Sequence, residues 1–196
     1  MKKEGNQMSE PPTSTPTKAP SLVELAHALD NEGMIGYTRA FVQDFLKGLN
    51  HVSLERFDWI NELANKKWAG ILCLGMGGSA AGGEFLSALA SFQGTIPVQV
   101  QRDYTLPAWW NPTWLIVATS HSGNTEETLE ATETALKAGA TVVAISTGGI
   151  LAGLPELYTN CHLVPSIGGQ PPRSAFGHIF SRQLGLLRQL RVLPMP

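Results

Sequence analysis

From residue 70 onward the chain alternates short apolar runs with helical stretches, a rhythm that few folds accept. Residues 71–74, 96–100, 114–119, 141–145 and 162–164 are too short for buried helices and read as strands enclosed on both faces. Between them, one helical stretch runs through Phe85, Leu86 and Leu89, and a second over about 125–138, which Gly139 closes. A last helix spans about 174–190. Short buried strands separated by helices pair in parallel through right-handed crossovers. The expected architecture is a flavodoxin-like α/β sandwich of three layers around a five-stranded parallel sheet, in strand order 2-1-3-4-5. Ahead of it lies a helical N-terminal segment. Ser21 and Glu24 form a capping box before Leu25, Ala26 and Leu29. Two further apolar stripes follow, Tyr37, Phe41, Phe45 and Leu49, then Leu54, Phe57, Ile60, Leu63 and Ala64. Residues 1–20, with prolines at 11, 12, 16 and 20, have almost nothing to bury and read as a disordered tail. Residues 21–196 then form a single domain.

The length of 196 residues suits one well-formed core. Fourteen basic against 16 acidic side chains leave a net charge of -2, so no bulk attraction draws the chain to nucleic acid or an anionic membrane. Cys73 and Cys161 are far apart in sequence, which fits neither a disulfide scaffold nor a zinc module. No apolar run reaches 18 residues, and no apolar stretch follows Lys2 and Lys3 as in a secretory signal. A cytoplasmic protein is expected, with no metal and no nucleic-acid partner.

Two loops carry chemistry. The first, Gly75, Met76, Gly77, Gly78 and Ser79, joins strand one to a helix. Its glycines let a ligand approach the backbone, and the helix that follows directs N–H groups and a positive dipole end at an anion. A tight turn that binds nothing is the plain alternative. Gly75, Gly77 and Ala80 also satisfy the dinucleotide fingerprint, although Asp103 lies late for its ribose acid. The second loop, Ser120, His121, Ser122, Gly123, Asn124 and Thr125, sets three hydroxyls within six residues at another helix N-terminus. Hydroxyls and backbone N–H groups together can meet a phosphate's acceptor oxygens without lysine. The alternative is that Asn124 caps the helix with Glu127 reaching back. Glu126 and Glu127 fit an outward, structural placement. In order 2-1-3-4-5 both loops leave neighbouring strands and face one crevice, which favours a phosphosugar over a dinucleotide. Gln170, Pro171, Pro172, Arg173 and Ser174 enter the last helix, with Ser174 as a possible cap. There Arg173 either faces an anion or stands on the surface.

Taken together, these three stretches resemble the sugar isomerase (SIS) domain, and more narrowly the bifunctional phosphoglucose/phosphomannose isomerases. The resemblance covers roughly residues 22–193. It implies that Gly78, Ser79, Ser120, Ser122 and Thr125 hold a sugar phosphate and that Arg173 is catalytic, stabilising an enediolate. The implied reaction is reversible isomerisation of glucose 6-phosphate or mannose 6-phosphate to fructose 6-phosphate, without metal or redox cofactor. Members of that family carry two such domains, whereas this chain holds one. Their catalytic glutamate, ring-opening histidine and lysine belong to the second. After Glu156 there is no Asp, Glu or Lys. His121 and His178 are the nearest titratable groups, and for each a hydrogen-bonded surface histidine is the plainer reading. The expectation is therefore a substrate-binding half, inactive or weakly active alone. Its partner would be a second copy or a complementary domain, because the last helix shows Phe176, Ile179, Phe180, Leu184, Leu187 and Leu190. A non-catalytic phosphosugar sensor and a nucleotide-binding domain are the alternatives.

Overall fold

The computed structural model describes residues 19–194, and in it every apolar run becomes a strand. These are β1 (Gly70–Leu74), β2 (Val98–Gln101), β3 (Trp114–Ser120), β4 (Val142–Ser146) and β5 (Cys161–Pro165). All pairings are parallel, in the expected order β2-β1-β3-β4-β5. Leu74 stands opposite Ala118, and Thr119 opposite Ile145, so the strands end nearly level.

Alternate residues of the central strands feed two separate cores. Ile71, Cys73, Leu115, Val117, Val143 and Ile145 point to one face, against α3 (Trp59–Asn65), α4 (Gly77–Gln93) and α7 (Phe176–Gln189). Leu72, Leu74, Ile116, Ala118, Val142 and Ala144 point to the other, against α5 (Glu126–Lys137) and α6 (Gly149–Leu157). Double-sided burial is why these strands read as continuous apolar runs. Gly139 closes α5 as expected. Its φ is +85°, its N–H bonds the Leu136 carbonyl, and that of Ala140 bonds the Ala135 carbonyl.

The chain divides into two compact units, residues 1–33 and 34–196. The first contains α1 (Leu22–Leu29), which opens with the anticipated capping box: Ser21 Oγ accepts from the Glu24 N–H, and Glu24 Oε2 accepts from the Ser21 N–H. The tail expected over 1–20 lies, except for Ala19 and Pro20, outside the described residues. The second unit begins with α2 (Met34–His51), which packs along α7.

Three expectations need correction. Leu54 sits in a turn and is exposed, because the third helix starts only at Trp59. No element was expected between β4 and β5, yet α6 forms there and accommodates Pro155 inside a nine-residue helix. The apolar stripe of α7 is not left open for a partner. Ile179, Leu184, Leu187 and Leu190 are buried within the chain, and Phe180 packs on Phe45 and Phe85. The stripe therefore gives no argument for a dimer. Among the described residues no helix is long and apolar enough to cross a membrane.

Candidate functional site

Because β1 and β3 are neighbours, residues 75–79 and 120–125 leave the sheet side by side at its carboxyl edge. Gly77, at φ +50°, lets the chain turn from β1 directly into α4. The N-cap of α4, Met76, makes no side-chain cap, and neither does Thr125, the N-cap of α5. Two helix N-termini thus present unsatisfied N–H groups and positive dipole ends at one place. They open on a cavity of about 430 Å³ lined by Met76, Gly77, Gly78, Ser79, His121, Ser122, Thr125, Pro172 and Arg173. Among the described residues, Arg173 is the one arginine or lysine in that wall and no carboxylate lines it. A second depression of about 350 Å³ between α4 and β2 has no charged residue among its described lining and no helix N-terminus opening on it.

The structure brings together Gly78, Ser79, Ser122, Thr125 and Arg173 in the cavity wall and sets Ser120 beneath it. Ser120, 1% exposed, bonds Thr125 Oγ1 at 2.8 Å and accepts from the Gly123 N–H at 3.0 Å. It braces the loop from inside the fold. Ser122 is exposed, and its Oγ accepts from the Asn124 N–H at 3.2 Å. Asn124 does not cap α5. Its Oδ1 accepts from the Ile150 N–H at 3.1 Å, capping the unforeseen α6 instead. Glu126 faces away from the cavity, alongside Tyr104 and Glu130, and the Glu127 charge raises the Tyr104 pKa.

Arg173 rides on the connection from β5 to α7. Ser174 does not cap α7, whose N-cap is Ala175; its hydroxyl donates to the Pro171 carbonyl at 2.8 Å. His178 is not a surface residue. It is 2% exposed, and burial pushes its pKa below the ordinary histidine value, with Asp44 opposing. His121 Nε2 meets the Gln170 carbonyl at 3.2 Å. Cys73 and Cys161 are buried thiols, each pushed up to about 12 by desolvation, and are chemically inert at neutral pH.

Gln183, on α7, escaped the sequence reading. Its Nε2 donates to the Ser79 carbonyl at 3.2 Å and to Thr119 Oγ1 at 2.9 Å, tying the first loop to the end of β3. The readable signal was Gly82, where a Cβ would overlap the Gln183 carbonyl oxygen.

The chain has both curated relatives and solved structural neighbours. The chain is 40% identical over 123 residues to the bifunctional phosphoglucose/phosphomannose isomerase of Caldicellulosiruptor bescii, covering 63% of this chain and 36% of that protein. Other curated relatives of the same name are 33% to 41% identical. The chain spans about a third to two fifths of the length of the curated relatives it matches. No family model matches it. Tagatose-6-phosphate ketose/aldose isomerase from Escherichia coli superposes with a TM-score of 0.64 at 18% identity, over 83% of this chain and 49% of that one. The Vibrio vulnificus NanR protein complexed with ManNAc-6P superposes at 0.57 and 18% identity, over 89% and 68%. The fold is the one found in sugar isomerase domains.

Proposed function

We propose that this chain is the substrate-anchoring part of an aldose–ketose isomerase that interconverts glucose 6-phosphate or mannose 6-phosphate with fructose 6-phosphate. The observation that carries the reading is the convergence of two uncapped helix N-termini and Arg173 on one cavity with no carboxylate among the described residues of its wall. Such a wall suits a dianion and repels none of its charge. The sugar phosphate would lie on Ser122 and Thr125, with Gly78 and Ser79 closing the opposite side and Ser120 supporting from beneath. The names of the curated relatives favour these hexose phosphates.

Isomerisation moves a proton from C2 to C1 through a cis-enediolate. The substrate's carbonyl acidifies that proton, and a cation stabilises the oxyanion that develops. Arg173 supplies the cation, an electrostatic contribution, while the loops supply positioning. The base is another matter. Among the described residues the cavity wall offers none of carboxylate type, and general acid–base groups contribute about 10²–10⁴-fold each. The base and the ring-opening group would come from a complementary sugar isomerase domain or a second copy of this chain.

Thermal shift against glucose 6-phosphate, mannose 6-phosphate and NAD tests the ligand class, since a ligand bound to the folded state raises stability by mass action. Stabilisation by both hexose phosphates and not by NAD is expected; stabilisation by NAD alone would replace the reading with a nucleotide site on the first loop. A coupled fructose 6-phosphate assay then tests the division of labour. The purified chain should turn over weakly. Adding a polypeptide that matches the part of the relatives this chain does not cover should restore the rate. Full activity without a partner would defeat the division. The likeness to NanR supports a second reading, a phosphosugar sensor with the same site and no turnover under any assembly.

A further inference from the structure

The connection that carries Arg173 is held at one residue from three directions. Gln170 Nε2 has two hydrogens; one reaches Asp44 Oδ2 on α2 at 3.3 Å and the other His178 Nε2 on α7 at 2.9 Å. Gln170 Oε1 lies 3.4 Å from Ser174 Oγ, whose one hydrogen goes chiefly to the Pro171 carbonyl at 2.8 Å. The Gln170 carbonyl accepts from His121 Nε2 in the second loop, and the neighbouring Gly169 carbonyl accepts from the Tyr37 hydroxyl at 3.3 Å. Both N–H donors of this amide are therefore used within the fold. Three residues on, behind two prolines that fix φ, stands Arg173.

We propose that Gln170 is a positioning residue that sets Arg173 over the cavity, and that neutral His178 holds Gln170 there. This rests on the reading of Arg173 as the cation that faces the ligand. With the amide as donor, His178 Nε2 accepts and the ring proton sits on Nδ1, which is buried with no hydrogen-bond partner among the described residues. The charged groups around His178 are Asp44 and Lys47 from α2 and Arg182 from α7. Arg182 is itself buried, and its Nη1 donates to the His178 carbonyl at 2.9 Å. A proton gained at Nε2 ends the acceptance. The new N–H points instead to Asp44 Oδ2, 3.4 Å away, and Gln170 loses its acceptor on His178 and shares the one on Asp44. The clamp is thus tight at neutral pH and loosens as pH falls below the ordinary histidine value of 6.5, because burial makes the proton harder to add.

The test is a double-mutant cycle on the full chain, read by calorimetric titration with glucose 6-phosphate at pH 7.5. Gln170→Met keeps the length and removes the amide. It should weaken binding about 10-fold, and Gln170→Met combined with Arg173→Met should bind no more weakly than Arg173→Met alone. Wild-type affinity in Gln170→Met, or effects that multiply in the double variant, would overturn the proposal. Lowering the pH to 5.5 should shrink the gap between wild type and Gln170→Met; the ligand's own titration is common to both. If no hexose phosphate binds the wild type, the functional reading fails. The clamp is then decided by amide exchange. Ser174 and Ala175, whose N–H groups bond the Pro171 and Pro172 carbonyls, should exchange about 10-fold faster in Gln170→Met. Leu186 and Leu187 should be unchanged. Equal exchange at Ser174 and Ala175 would sink the clamp, and Asp44→Asn, with a smaller effect in the same direction, replaces Gln170→Met should that variant not fold.

Discussion

Residues 75–79 and residues 120–125 leave adjacent strands and line the same cavity, yet they are built differently. The second loop carries hydroxyl bonds of its own, Ser120 with Thr125 and Gly123, and Ser122 with Asn124, and is also held by the turn into α6, where Thr147, Ile150 and Leu151 donate to His121, Asn124 and Gly123. The first makes its contacts mainly through backbone, and its chief brace is remote, the Gln183 amide reaching up from α7. A loop with internal hydroxyl bonds keeps part of its shape from local chemistry. A remotely braced one inherits its shape from the packing of a helix more than a hundred residues away in sequence. The first loop should therefore be the more sensitive to what happens at α7, and the second to changes within itself.

The largest effect should come from glycine exchanged for alanine in each loop. At Gly123 a Cβ would overlap the Gly148 carbonyl oxygen, on a backbone angle that disfavours any side chain. Gly123→Ala should cost about 3 kcal/mol or more in urea unfolding. Gly78 lies in the first turn of α4 with open space around it, and Gly78→Ala should leave stability within about 0.5 kcal/mol or raise it slightly. Equal costs would erase the contrast. Next in size is Gln183→Met. Losing two buried hydrogen bonds should lower unfolding free energy by about 1–3 kcal/mol. It should also speed amide exchange in the first turn of α4 while leaving residues 122–125 as they are; a uniform loss across both loops would mean that Gln183 braces the whole fold. Smallest in stability is Ser122→Ala, an exposed hydroxyl, expected within about 0.5 kcal/mol by unfolding. In a titration with glucose 6-phosphate it should lose about 1–3 kcal/mol of binding, the range for a hydrogen bond to a charged group. Unchanged affinity would remove the second loop from the site.

How much of this was legible follows from how far each cause lies along the chain. The strands and their order could be read because double-sided burial writes itself into consecutive residues such as Ile71, Leu72, Cys73 and Leu74. The Gly139 cap could be read because its partners are within four residues. What escaped was long-range. The acceptor from Asn124 that caps α6 acts across 26 residues, and Gln183 acts across 104. The burial of His178, Ser181, Arg182 and Gln183 escaped because a helix with polar residues among leucines reads as one-sided. α7 is in fact enclosed by the sheet, α2 and α4. Its polar atoms find partners in backbone carbonyls, Arg182 donating to those of Pro165 and His178. A signal for that enclosure did exist. Gly48 on α2 meets Ser181, Gly177 meets Phe41, and Gly185 meets Val52, so the glycines mark where two helices approach too closely for side chains.

The parallel sheet has one more consequence. Every crossover returns the chain to the edge opposite the cavity, and a strand of five to seven residues separates the two edges by roughly 17–23 Å. Gly139, exposed, in a left-handed turn with open space around it, sits on that far edge just before β4. A cysteine, linker or surface tether introduced beside it would hold the molecule with its cavity facing outward into bulk solution, giving an immobilised receptor whose mouth stays clear of its support.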